Sequence, residues 1–249
     1  MKLTPHLPIK YGANNISGGE DNPPPGVPSD ARGVGHFYKS FDSRLWVFYR
    51  HWEPANTIVA TLMIVHGTVD HSGVYQELAT VLNKHGVAVI AMDMRGWGLS
   101  DGESMYVNDI ETFVEDVHTL YTRIHDTNPR YQTVKARFLL GKSLGGLVTA
   151  HAIQKYPTLW TGLLGLSGAY SLGPSMNVSP IKHAAIQLVA ACCPKLPVKP
   201  LFDEHLIVSD EQALQQWRDD KLCCKDRLRI GYAVEILRAI QELPKHNMN

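Results

Sequence analysis

Apolar and polar positions along this chain repeat with two periods. Thr57–Val65 (TIVATLMIV) and Val87–Met92 (VAVIAM) are continuous apolar runs, as strands covered on both faces require; Val134–Leu140 and Thr161–Ser167 read as further strands. Leu45–Trp52 (LWVFYRHW) is rich in aromatics and suits an antiparallel strand. Between these runs the spacing turns helical. Ser72–His85 predicts a helix closed by Gly86, and Gly145–Tyr156 predicts another. Ile110, Phe113, Val114, Val117, Leu120, Tyr121 and Ile124 mark one helical face between Asp109 and Asp126, which Asn128-Pro129 ends. Strand and helix in alternation predict a mainly parallel sheet wrapped by helices. After Gly173 the rhythm breaks. Residues 174 to about 225 read as helical or irregular, with prolines at 174, 180, 194, 197 and 200, the pattern of an insertion over the C-terminal edge of the sheet. A last helix is expected over Asp226–Glu242, with Ala233, Ile236, Leu237 and Ile240 on one face.

The 249 residues suit one α/β domain, expected over 36–249, with the insertion inside it. Residues 1–35 hold six of the fifteen prolines and six of the twenty glycines and few large apolar side chains, so they predict a flexible leader. Twenty-four basic side chains balance twenty-four acidic ones, so no overall field points to nucleic acid. No apolar run approaches the roughly 18 residues of a membrane span. Prolines stand in Met1–Lys10 where a secretory signal would need its apolar stretch. The four cysteines form two vicinal pairs, Cys192-Cys193 and Cys223-Cys224, without the C-x-x-C spacing of a zinc ligand set, and are expected to be small buried hydrophobes. A reduced, cytoplasmic protein follows.

The strongest chemical signal is Gly141-Lys142-Ser143-Leu144-Gly145-Gly146, between an apolar strand and a helix. In that context G-x-S-x-G is a nucleophile elbow: Gly141 and Gly145 permit a tight, strained turn that lifts the Ser143 hydroxyl over the sheet edge. A phosphate-binding loop would need glycine at 136, which is Ala136. The second signal is Val65-His66-Gly67-Thr68 with Asp70-His71-Ser72-Gly73 behind it. An acyl-transfer site needs two N–H donors aimed at an oxyanion; Leu144 and Thr68 supply natural candidates, with His66 and Gly67 shaping the loop. A zinc box of the H-x-H-x-D-H type would need histidine at Thr68, so no metal is expected and His66 reads as structural. The third signal, the glycine-rich Arg95–Gly102, is weak alone.

Together, His66-Gly67…His71-Ser72-Gly73…Tyr75, Gly96-x-Gly98-x-Ser100-Asp101-Gly102 and Gly141-x-Ser143-x-Gly145-Gly146 resemble the monoacylglycerol lipases, α/β-hydrolases grouped with the serine aminopeptidase S33-type and lysophospholipase-like proteins. The resemblance runs from about His36 to Lys245 and includes Asp220-Lys221-Leu222-Cys223-Cys224. It implies an α/β-hydrolase fold, Ser143 as nucleophile, Thr68 and Leu144 as oxyanion donors, 174 to about 225 as a helical lid, and no cofactor. The reaction implied is hydrolysis of a carboxylic ester, a monoacylglycerol or lysophospholipid. Three positions depart from the family: Lys142 replaces a histidine, Leu144 a methionine and Val74 an arginine. Lys142 is expected to be solvated.

In the resembled family a catalytic aspartate and histidine follow two further strands, downstream of the helix expected at 226–242. Here Leu243-Pro244-Lys245-His246-Asn247-Met248-Asn249 follows, so both are expected to be missing. His151 lies two turns along the helix after Ser143, too far to serve as base; His183, His205 and His246 read as surface or packing histidines. A serine site without its base is expected to be weakly active or inactive. The other class of reading is a non-catalytic lipid- or partner-binding relic of a hydrolase. The strand at 161–167 is expected to form a sheet edge that invites self-association. The apolar lid stretch Ile181–Cys193 is expected to make peripheral membrane contact or to pack on the core.

Overall fold

The computed structural model describes residues 35–171, 180–198 and 210–243. The leader expected over 1–35, apart from Gly35, and the lid residues 174–179 and 199–209 lie outside the described residues, as do His205 and His246.

Six strands form one sheet: β1 His36–Lys39, β2 Trp46–Trp52, β3 Ala60–Val65, β4 Val87–Met92, β5 Arg137–Lys142 and β6 Gly162–Leu166, ordered β1-β2-β4-β3-β5-β6. The hairpin β1–β2 joins β4 antiparallel, while β4, β3, β5 and β6 run parallel. The helices are α1 Gln76–Lys84 (entered by a 3₁₀ turn, Ser72–Tyr75), α2 Glu111–Thr127, α3 Leu144–Lys155, α4 Pro180–Cys192, α5 Glu211–Asp219 and α6 Ile230–Glu242.

The apolar runs of β3 and β4 are explained by their two covered faces. Met63, Val65, Ile90 and Met92 point into a core shared with Val117 and Leu120 of α2, Leu147 and Val148 of α3, and Tyr232 of α6. Their neighbours Leu62, Ile64, Val89 and Ala91 point to the opposite face, against Tyr75 and Ala79 of α1 and its entry turn. Alternate side chains of one strand thus serve two cores, and the polar exception in β3, Thr61, is buried with its hydroxyl bonded to the Tyr121 hydroxyl. Among the described residues β6 is the outermost strand, with Leu164 and Leu166 47% and 46% exposed.

The differences from expectation are local. β1 gives no periodic signal over four residues, and it forms because Phe37–Lys39 pair with Trp46–Phe48. β5 begins at Arg137, three residues later than expected, because Tyr131–Val134 is spent on a turn that buries Tyr131 and Val134. The expected last helix starts at Ile230 rather than Asp226, since Val198 and Ile230 amides bond Leu228 and Leu196 carbonyls across a short bridge.

The parallel strands β3, β4, β5 and β6 end at Val65, Met92, Lys142 and Leu166 on the same edge of the sheet. The loops after β3, β4 and β5 are the three motif segments, and a crevice outside carboxyl strand ends is where open α/β sheets bind ligands.

Candidate active site

Ser143 is the single residue between β5 and α3 and carries φ 50°, ψ −113°. A non-glycine residue held there stores roughly 1–3 kcal/mol of strain, which its surroundings must offset. They do so through the backbone. The Ser143 amide donates to the Leu166 carbonyl at 3.0 Å, and the Ser143 carbonyl accepts from Gly146 and Ala169 amides at 3.0 Å each. The tightness also explains the glycines: a Cβ on Gly145 would strike the Val65 and His66 carbonyls, and one on Gly141 would strike the Thr149 hydroxyl and the Gly145 carbonyl.

The loop after β3 lies against this turn. The position a Cβ would take on Gly67 is 3.4 Å from Ser143 Cβ and 3.0 Å from Asp70 Oδ2. Leu144 follows the serine and Thr68 follows Gly67, and both are buried. Neither amide donates to another described residue; Leu144 is the first residue of its helix, where N–H groups have no intrahelical acceptor. Buried amides without an acceptor are uncommon, so these two are free to bind a ligand atom.

Side chains hold the loop from several directions. His66 is fully buried; its Nδ1–H donates to the Gly67 carbonyl at 2.7 Å and its Nε2 accepts from the Met94 amide at 2.9 Å. Burial pushes its pKa down, so it is a neutral strut. Trp97 Nε1–H donates to the Thr68 carbonyl at 2.5 Å. Asp93, also fully buried, accepts from the Ser72 amide at 2.6 Å and the Leu99 amide at 2.8 Å, tying the loop to the glycine-rich turn. That turn is itself anchored where Arg95 meets buried Asp116 in a bidentate pair at 2.7 and 2.8 Å.

The insertion reaches the same loop. Trp217 of α5 donates to the Val69 carbonyl at 3.1 Å, and His71 Nε2–H donates to Asp220 Oδ2 at 2.9 Å. Burial would raise the Asp220 pKa, but donation from His71 and the Leu222 amide brings it below the usual carboxylate range. His71, Asp220 and Cys223 bring three potential ligand atoms within 4.8 Å of one another. However, His71 Nδ1 accepts from the Gly73 amide at 3.1 Å, which puts the ring proton on Nε2, where a metal would need the lone pair. Burial also pushes the Cys223 thiol up to about 12. The cluster is a latch between insertion and loop. Nothing in the sequence pattern identifies Asp93, Trp97, Trp217 or Asp220 as partners of this loop, because each pairing spans a long sequence separation.

Two expectations are corrected. Lys142 is not simply solvated: its Nζ lies 2.8 Å from Asp70 Oδ2. Cys192 and Cys193 are exposed, whereas Cys223 and Cys224 are buried; α4 faces solvent with Leu188 68% exposed. Among the described residues no side chain hydrogen-bonds the Ser143 hydroxyl. His151 donates instead to the Ala239 carbonyl at 2.9 Å, on α6. No helix among the described residues is long and apolar enough to cross a membrane.

A mostly parallel sheet wrapped by helices, with a strained serine between strand and helix, defines an α/β-hydrolase fold. The structure of Paleococcus ferrophilus monoacylglycerol lipase shares the fold, with a TM-score of 0.66 at 21% identity over 79% of this chain and 71% of that one. The profile of the serine aminopeptidase S33 family matches residues 56–248, and the chain belongs to that family. Monoglyceride lipase of Rattus norvegicus is 28% identical over 200 residues, 80% of this chain. Monoacylglycerol lipase of Mycolicibacterium smegmatis is 27% identical over 203 residues, 80% of this chain and 69% of that one. The chain spans 64% of the length of the rat protein.

Proposed function

We propose that the site hydrolyses carboxylic esters of lipids, a monoacylglycerol or a lysophospholipid, with Ser143 as nucleophile. The observation that carries this reading is a serine held at φ 50° between strand and helix with the Gly67 loop against it, and the unbonded Thr68 and Leu144 amides support it. Ser143 Oγ adds to the acyl carbonyl and the two amides hold the resulting oxyanion. The carbon–oxygen ester bond then breaks, leaving an acyl-serine and releasing the alcohol; water hydrolyses the acyl-serine to a fatty acid. A base must take the serine proton and return it to the leaving oxygen, and no described histidine is hydrogen-bonded to Ser143. The uncharged, exposed surface of α4 from Ala184 to Cys193 supports delivery of the substrate from a lipid surface through peripheral contact. The relatives named as monoglyceride and monoacylglycerol lipases support the substrate class.

The test is intact-mass analysis after exposure of the folded chain to a long-chain alkyl fluorophosphonate. A slowly forming adduct that Ser143→Ala abolishes is expected. An adduct that survives Ser143→Ala refutes the assignment. No adduct on a protein with native circular dichroism refutes hydrolysis by this chain and favours a lipid-binding scaffold.

A further inference from the structure

The oxyanion loop carries a charge that an oxyanion site should not tolerate. Asp70 Oδ2 and Ser143 Cβ both lie within 3.4 Å of one point, the position a Cβ would take on Gly67. The Asp70 side chain is 7% exposed, and no backbone amide or neutral side chain among the described residues donates to this oxygen. A carboxylate in that place repels any anion held by the Thr68 and Leu144 amides. The nearby histidines do not offset it: His66 is held neutral by burial, and both ring nitrogens of His71 are spent on Gly73 and Asp220. The compensating charge is Lys142, whose Nζ sits 2.8 Å from Asp70 Oδ2 and which immediately precedes the serine in the chain.

We infer that Lys142 is a positioning residue of the acyl site: by pairing with Asp70 it holds the pocket beside Ser143 at a potential that admits an anion, whether the oxyanion of the reaction or a fatty carboxylate product. The pair also bridges the end of β5 to the loop after β3, so one contact fixes both the geometry and the charge of the pocket. This rests on the reading of Ser143 and the Gly67 loop as an acyl site. The role of Lys142 is electrostatic. It does not have to touch the substrate.

The size of the effect follows from Coulomb's law. At an effective dielectric of about 20, one unit charge about 6 Å away changes the affinity for an anion on the order of a hundredfold; screening at a half-exposed lysine reduces this to about tenfold. The experiment titrates the whole chain with decanoate, and with 1-decanol as a neutral ligand with the same tail, by calorimetry. Lys142→Met is expected to weaken decanoate binding about tenfold. Asp70→Asn is expected to tighten it by a similar factor, and the double substitution to return it close to wild type. Decanol affinity should stay unchanged throughout.

Equal decanoate affinity in wild type and Lys142→Met overturns the inference. So does a parallel change in decanol binding, which would mean a merely structural role, and so does a wild type that binds no decanoate. If Lys142→Met fails to fold because it leaves a buried carboxylate unpaired, Asp70→Asn alone decides by the sign of its effect. The hydrolytic reading fails separately: a chain that forms no fluorophosphonate adduct but keeps this charge pattern loses the reaction and retains the anion pocket.

Discussion

Replacing Trp97 by Phe probes how firmly the loop after β3 is held. Trp97 is 1% exposed, its ring packed on Phe113 and Tyr232 with centroids 5.8 Å from each, and its Nε1–H is bonded to the Thr68 carbonyl at 2.5 Å. Phenylalanine keeps most of the packing but leaves that carbonyl without its donor, at a cost of about 1–3 kcal/mol. The smaller ring adds roughly 1 kcal/mol for the space it fails to fill. The expected loss is about 2–4 kcal/mol, or on the order of 5–15 °C in Tm for a domain of this size. Trp160→Phe supplies the control. Trp160 is buried on Tyr121 with centroids 4.5 Å apart, yet its Nε1–H has no acceptor among the described residues. Its replacement gives up ring volume but no hydrogen bond, so it should cost only about 1 kcal/mol. Urea unfolding followed by circular dichroism measures both variants. Equal losses, or a loss below about 1 kcal/mol for Trp97→Phe, would refute the claim that the indole N–H holds the loop.

Two further outcomes are expected. Burial lowers the His51 pKa to about 4, against the opposing pull of Glu53. The unfolded chain therefore takes up a proton first as the pH falls below about 6.5, and stability declines between about pH 6.5 and 4 by up to about 3 kcal/mol. His51→Asn should flatten this part of the stability–pH curve, and an unchanged slope in that variant would assign the decline to other groups. At the sheet edge, exposed Leu164 and Leu166 on β6 favour pairing with a second copy. Sedimentation velocity should show concentration-dependent association that Leu164→Lys reduces; a monomer at all concentrations in both proteins excludes that role for the edge.

The fold was legible because its central strands, β3 and β4, are buried on both faces. Two cores flank β3 and β4, so their sequences could not alternate, and uninterrupted apolar runs separated by helical periods follow directly. The elbow was legible because its chemistry is local: Gly141, Ser143 and Gly145 lie within five residues and answer to one tight turn. What holds the elbow and its loop was not legible. Lys142 could not be paired with Asp70 from the sequence, since the contact exists only because β3 and β5 are neighbours in the sheet. The exposure of Cys192 and Cys193 was hidden for the opposite reason, because an apolar helix packed on a core and one facing outward have the same composition. β1 was missed because four residues carry too little periodicity to separate a strand from a loop.

The loop after β3 joins parts of the molecule with different stabilities. Its two ends are tied to the turn after β4: His66 to Met94 and the Thr68 carbonyl to Trp97 at one end, and the Ser72 amide to Asp93 at the other. Its middle is tied to the insertion, through Val69 to Trp217 and through His71 to Asp220. The sheet contacts are buried and charge-assisted or backbone-directed, so they are the costly ones to break. The insertion contacts are two hydrogen bonds from a short helix and the turn that follows it, with Asp220 partly open to solvent. A displacement of α5 would therefore release Val69 and His71 while Thr68 stayed anchored by Trp97. Thr68 keeps its place through such a motion, and the loosened segment is the one next to Asp70. The ion pair with Lys142 is then a contact that ties the middle of the loop to the elbow independently of the insertion.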